Sequence, residues 1–167
     1  MIRALLLCVA LFQAGSPSAQ KPIIDNERVA VWDVTGSAAA QPTDAVVVSL
    51  SGNAAFVPKD TAPKIDGRSM VIDLKDHPAP TYTNTTNYPL AFPRPGSKKI
   101  LENDRVIVWD YTWTPSVATP MHFHDKDVVV VFLEDGDLKS TTPDGKEVVN
   151  PYKTGTTRFN LGGRTHT

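Results

Sequence analysis

Asn26-Glu-Arg-Val-Ala-Val-Trp-Asp33 and Asn103-Asp-Arg-Val-Ile-Val-Trp-Asp110 are two copies of one phrase, 77 residues apart and identical at six of eight positions. Each copy is rich in β-branched and aromatic residues and bounded by Asn and Asp, which predicts a β-strand in both places. A second match lengthens the repeat. Asp44-Ala-Val-Val-Val-Ser-Leu50 recurs as Asp127-Val-Val-Val-Val-Phe-Leu133, at an offset of 83. The first copy is therefore six residues shorter between the two matches, and the residues it lacks carry His122-Phe-His124 in the second. Internal duplication fixes how many units a chain contains. Here two unequal tandem repeats are expected, with chemistry in the second alone.

Working outward, the other strand signals are Ala45–Val48, Ser69–Leu74 and Val128–Phe132, and no stretch after residue 20 shows helical periodicity. The chain reads as all-β. Glu134-Asp-Gly136 and Pro143-Asp-Gly145 look like hairpin turns with Gly at positive φ. They predict Val128–Leu133, Asp137–Thr141 and Lys146–Val149 as successive antiparallel neighbours in a meander. Between the copies, residues 76–99 carry Pro78, Pro80, Pro89, Pro93 and Pro95 among Thr, Asn and Tyr. Each proline removes a ladder donor, so this segment is expected to be a linker or an extended strap that packs through its tyrosines and Phe92.

With 167 residues, 41% of them hydrophobic, the chain can build one or two small cores. Its net charge of −1 and pI near 6.4 leave no basic stripe, which excludes nucleic acid as an expected partner. Residues 1–19 read as a secretory signal peptide: Arg3, an apolar run from Ala4 to Ala14, and a small-residue exit at Gly15-Ser-Pro-Ser-Ala19. That run is shorter than the roughly 20 residues a membrane span needs. A periplasmic or secreted protein with no membrane span is the expectation. Cys8, the only cysteine, would leave with the signal, which excludes disulfides, thiolate nucleophiles and Cys-ligated zinc.

His122 and His124 alternate on one strand and point to one face, forming half of a metal site. His166, at the end of Leu161-Gly-Gly-Arg-Thr-His166, offers a third imidazole. Three neutral imidazoles suit a divalent Fe, Mn, Ni, Cu or Zn ion and leave positions open for a small-molecule ligand. His77 precedes a proline and is expected to be a turn residue.

These residues resemble the cupin superfamily, whose members are small jelly-roll β-barrels with a metal in the mouth. His122, His124 and Gly136 match the first cupin motif, and Gly163 and His166 match the second. The resemblance covers about residues 100–167 and reaches residues 23–75 through the repeat. Between the signal peptide (1–19) and the Pro-rich linker (76–99) it implies a degenerate cupin-like repeat (20–75), followed by a metal-binding cupin-like repeat (100–167). The sequence departs from the pattern in three places. Val128 and Val129 stand where the family has an acidic ligand, leaving Asp127 or Asp125 to reach the metal only if a bulge redirects the strand. Leu161 replaces a proline. The family also has strands after the last histidine, so the C-terminal barrel either borrows Gly67–Leu74 as a closing strand or is incomplete, with His166 exposed.

Arg158 and Arg164 flank the third histidine and are candidates for holding an anionic group on a substrate, with Trp113 as a wall of the barrel mouth. Trp32 and Trp109 occupy matching repeat positions and are expected in the core. Fold does not determine function here, because cupins include dioxygenases, isomerases, decarboxylases, storage proteins and sensors. The leading expectation is a metal-binding cupin-like protein, as an enzyme an oxidoreductase or isomerase acting on a small polar substrate. The alternatives are a non-catalytic small-ligand or sugar-binding module and a structural homodimer. No Ser-His-Asp or Cys-His arrangement and no phosphate-cradling glycine loop is present.

Overall fold

A computed structural model describes residues 21–78 and 80–167. The expected signal peptide and Cys8 lie outside these residues. The described residues form thirteen strands and no helix. In the first half these are β1 (Ile24–Asp25), β2 (Val29–Thr35), β3 (Ala45–Ser49), β4 (Ala54–Val57) and β5 (Arg68–Leu74). In the second half they are β6 (Ser97–Glu102), β7 (Ile107–Tyr111), β8 (His122–Phe123), β9 (Val128–Val131), β10 (Gly136–Thr141), β11 (Glu147–Tyr152), β12 (Thr157–Asn160) and β13 (Thr165–His166).

The first five strands make one antiparallel sheet in the order β1-β2-β5-β3-β4. Its three interior strands, β2, β5 and β3, are largely buried on both faces, and the period of two along them sorts the core into two layers. Met70 and Ile72 of β5 join Val29, Val31 and Val46 on one face. Val71, between them in sequence, joins Val34, Ala45, Val47 and Val57 on the other, where Trp32 packs half-buried. Met70, Val31 and Val71 are fully shielded from water. Gly67–Leu74 is thus spent inside its own sheet, between β2 and β3, and is not lent to the second half.

The second half leans on the first layer: Val106, Val108, Val129, Val131 and Phe159 pack against the Met70 cluster. Its strands pair as a nest rather than as the expected meander. The hairpin β10–β11 is innermost, β9–β12 comes next and β8–β13 is outermost, all antiparallel. Pro143-Asp-Gly145 is the hairpin turn that the sequence predicts, with Gly145 at φ 82°. Glu134-Asp-Gly136 is not. Gly136 lacks a positive φ and opens β10, and the chain leaves β9 for a different sheet because β9 takes β12 as its partner. None of the sheets closes on itself among the described residues.

Both copies of the repeated phrase fold into the same turn. Asn26 Oδ1 accepts from the backbone N–H groups of Arg28 and Val29 at 2.8 and 3.0 Å. Asn103 Oδ1 accepts from those of Arg105 and Val106 at 2.9 and 3.0 Å. The arginines of the phrase then pair with carboxylates of the other copy. Arg28 Nε lies 3.3 Å from Asp127, and Arg105 Nη1 lies 3.5 Å from Asp44, the position matching Asp127 in the repeat.

Replacing fully buried Met70 by Ala is expected to cost about 2–5 kcal/mol through lost burial and the cavity left behind. Val149→Ala, at a position 59% exposed, should stay within about 0.5 kcal/mol. Urea unfolding of the two variants checks the difference.

Candidate metal centre

The strap across residues 76–99 does more than link. Phe123 N–H donates to Pro89 O, and Ala91 N–H donates to Phe123 O, each at 2.8 Å, so the strap pairs with one edge of β8. Strand β13 takes the other edge, with His166 opposite His122. The pleat sends Phe123 into the interior, 4% exposed, and turns His122 and His124 to the opposite face. His166 reaches that face through the turn before it. Gly163, at φ 77°, donates its N–H to His124 O at 2.8 Å, and His124 N–H donates to Arg164 O at 2.9 Å. Such a φ favours glycine, and the position matched to the second motif has one.

The three imidazoles converge through the same atom. Nε2 of His124 lies 3.2 Å from Nε2 of His122 and 3.1 Å from Nε2 of His166. The rings of His124 and His166 are nearly coplanar in orientation, 4° apart with centroids at 5.0 Å. The outer nitrogens are fixed by backbone carbonyls: His122 Nδ1 donates to Pro120 O at 2.8 Å and His166 Nδ1 to Thr167 O at 2.7 Å. With the proton on Nδ1, each of these rings carries its lone pair on Nε2. A proton on His124 Nε2 can serve only one of the two facing lone pairs. A cation at the centre satisfies all three, and a carbonyl on the outer nitrogen is the usual way a ligating histidine is oriented. His122, His124 and His166 lie close enough to hold one metal ion.

Burial reinforces this. His122 and His124 are 3% and 7% exposed. Desolvation, followed by nearby positive charge, pushes His122 down to about 4 and His124 down to about 3, and desolvation lowers His166 too. All three rings are neutral at neutral pH, the form that binds a metal.

Asp127 is not with them. Its Oδ1 accepts from Tyr82 O–H at 2.8 Å and from Gly162 N–H at 2.9 Å, while Oδ2 faces Arg28 Nε at 3.3 Å. No bulge redirects β9 there: the register from Val128 to Val131 against β12 is unbroken. Asp127 therefore holds the turn that carries His166, and Tyr82 covers that turn so closely that a Cβ on Gly162 would collide with its ring.

The remaining candidates divide. Arg164 and Arg158 both line the cavity that contains the three histidines, a space of about 2600 Å³. Arg164 is half-buried and donates to Asn160 Oδ1 at 3.2 Å. Arg158 is exposed, with its guanidinium 5.0 Å from the Tyr152 ring centroid. Trp113, 37% exposed, stacks on Phe132 at 6.0 Å and meets Tyr111 edge-on at 4.7 Å. Trp109 is half-buried and stacked on Phe92 at 5.4 Å. His77 lies outside the histidine group, 3.0 Å from Arg28 Nη1. His166 is half-buried rather than exposed.

Arg94, on the strap, was not anticipated. Its Nη1 lies 2.8 Å from His122 Nε2, and its guanidinium sits over the rings of Tyr111 at 4.1 Å and Phe92 at 4.7 Å. Its only sequence signal is a charge set between Phe92-Pro93 and Pro95. Compared with protein-family models, curated proteins and solved structures, the chain finds no match in any of the three.

Two outcomes follow from this geometry. Unfolding returns the histidines to their ordinary value, so the unfolded chain takes up protons first as pH falls. Metal-free protein should hold its stability above about pH 6.5 and lose it toward about pH 4; a urea midpoint that stays flat across that window would contradict the buried, neutral rings. Gly162→Ala should cost about 1–3 kcal/mol by overpacking against Tyr82, and should weaken metal binding together with stability in the same titrations.

Proposed function

We propose that this chain is an exported, cupin-like metalloprotein that binds one divalent metal through Nε2 of His122, His124 and His166. The observation that carries the reading is the convergence of three Nε2 atoms, with the outer nitrogens of His122 and His166 already committed to carbonyls. The cupin-like architecture is supported by the nested pairs β8–β13, β9–β12 and β10–β11, which bring the two motif histidine segments side by side. Duplication is supported by the shared Asn-headed turn and by the exchanged pairs Arg28–Asp127 and Arg105–Asp44. The first copy has no histidine between its two matched segments, so the site belongs to the second copy.

Three imidazoles leave coordination positions open, and a bound Fe, Mn, Ni, Cu or Zn ion would supply Lewis acidity to a ligand entering there. The chain's own residues do the rest. His122 and His166 keep their protons on Nδ1 through Pro120 O and Thr167 O, Asp127 and Tyr82 lock the turn before His166, and Phe123 anchors β8 in the interior. As an enzyme the protein is an oxidoreductase or isomerase acting on a small substrate. A second reading, a ligand-binding module without turnover, is favoured by the cavity, which is far larger than a metal and a small substrate need.

Elemental mass spectrometry on protein purified without an affinity tag tests the metal. One equivalent per chain is expected after reconstitution, lost in the His122→Ala/His124→Ala double variant. Absence of metal after reconstitution with Fe, Mn, Ni, Cu and Zn in turn would overturn the proposal. If the second reading is right, ligands will raise the Tm without being converted.

A further inference from the structure

We propose that the cavity beside the three histidines takes an organic carboxylate, its charged head held by Arg94 and Arg164 and its apolar body lying along the valine and aromatic wall. This deepens the metal reading and rests on it for the ion, but Arg94 and Arg164 line the cavity in their own right.

The argument starts from charge balance. Arg28, Arg68 and Arg105 each have a carboxylate partner: Asp127, Asp33, and Asp44 with Asp76. Arg94 and Arg164 are half-buried, and among the described residues neither has one. Arg94 faces two aromatic rings and a histidine, and Arg164 faces a neutral amide. The Nε of each is buried without a hydrogen-bond partner. Desolvation pulls both guanidiniums below their ordinary value. A buried cation without a counter-charge is costly, and two beside one metal site leave a positive field that a bound anion would relieve.

The chemistry of the anion follows from what surrounds the charges. A guanidinium presents parallel N–H groups that match a carboxylate bidentately. The same cavity is walled by Val129, Val131, Phe132, Phe159 and Trp113. A bare inorganic anion would leave that wall uncovered, whereas an organic acid covers it and places its head at the arginines.

Arg94 also links the anion to the metal. Its Nη1 lies 2.8 Å from His122 Nε2 and 3.2 Å from His122 Nδ1, so it rests against the imidazole between the two nitrogens and off the axis of the Nε2 lone pair. That lone pair stays available to a metal, and the guanidinium beside it could hold the carboxylate of a ligand that reaches the ion.

Isothermal titration calorimetry with hexanoate, its uncharged counterpart hexanamide, and inorganic phosphate tests this on Ni²⁺-loaded and metal-free protein. Hexanoate should bind at least about tenfold tighter than hexanamide to both forms, as a charge-assisted contact implies, and tighter than phosphate. Arg94→Gln should weaken hexanoate about tenfold while Ni²⁺ affinity stays the same or rises. Equal affinity for hexanoate and hexanamide, phosphate binding as tightly as hexanoate, or an Arg94→Gln variant that loses Ni²⁺ and keeps hexanoate would each overturn the inference. The comparison on wild-type protein needs no variant to fold. Failure of Ni²⁺ to bind wild-type protein would sink the metal reading alone, since the metal-free titration still decides the carboxylate.

Discussion

The carboxylate of Asp127 ties together three pieces of chain that are far apart in sequence. It takes the Tyr82 hydroxyl from the strap, the Gly162 N–H from the turn before His166, and the Arg28 guanidinium from the first copy of the repeated phrase. Hydrogen bonds to an ionised, largely buried carboxylate are among the stronger ones a protein makes. Each partner here governs a histidine. Tyr82 and Gly162 set the path of the chain into His166, the backbone just before Asp127 carries His124, and Arg28 fixes the whole group to the first sheet. Asp127 shapes the site without joining it.

That division explains why the centre is built of imidazoles alone. A carboxylate turned toward the three rings would leave the Gly162 turn unsupported and the half-buried Arg28 beside no counter-charge. With Asp127 spent on structure, the formal charges outside the cluster that act on the three rings are the guanidiniums of Arg94 and Arg164, and the site is electropositive in its own right. A divalent metal held there would add to that excess. Neutral imidazoles and cationic neighbours together would make an anion the natural companion of such an ion, and the open, largely apolar cavity would give an organic one somewhere to lie.

Much of this architecture can be read from short segments. Val29–Thr35, Ala45–Ser49 and Arg68–Leu74 announce themselves because their apolar residues are packed on both faces of a central sheet, which leaves dense runs of Val, Ile and Met. The histidines are legible because pleat geometry makes 122 and 124 share a face, and because the glycine pair before His166 marks a tight turn. The turn at Pro143-Asp-Gly145 is local chemistry and was legible for that reason. Gly136 was misleading because Glu134-Asp-Gly136 has the same local composition, while the partner of β9 is decided by distant β12. Asp127 and Arg94 were hidden for a related reason. Whether a carboxylate binds a metal or a backbone N–H, and whether an arginine on a proline-rich strap reaches a histidine, depends on pieces of chain brought together only by the fold.

X-ray absorption on the Zn²⁺-loaded protein tests the central claim most directly, because it counts the imidazoles bound to the ion. The account predicts three at about 2.0–2.1 Å, with the remaining coordination supplied by water or an added carboxylate. Two or fewer imidazoles, or a protein carboxylate that disappears from the spectrum in Asp127→Asn, would contradict it.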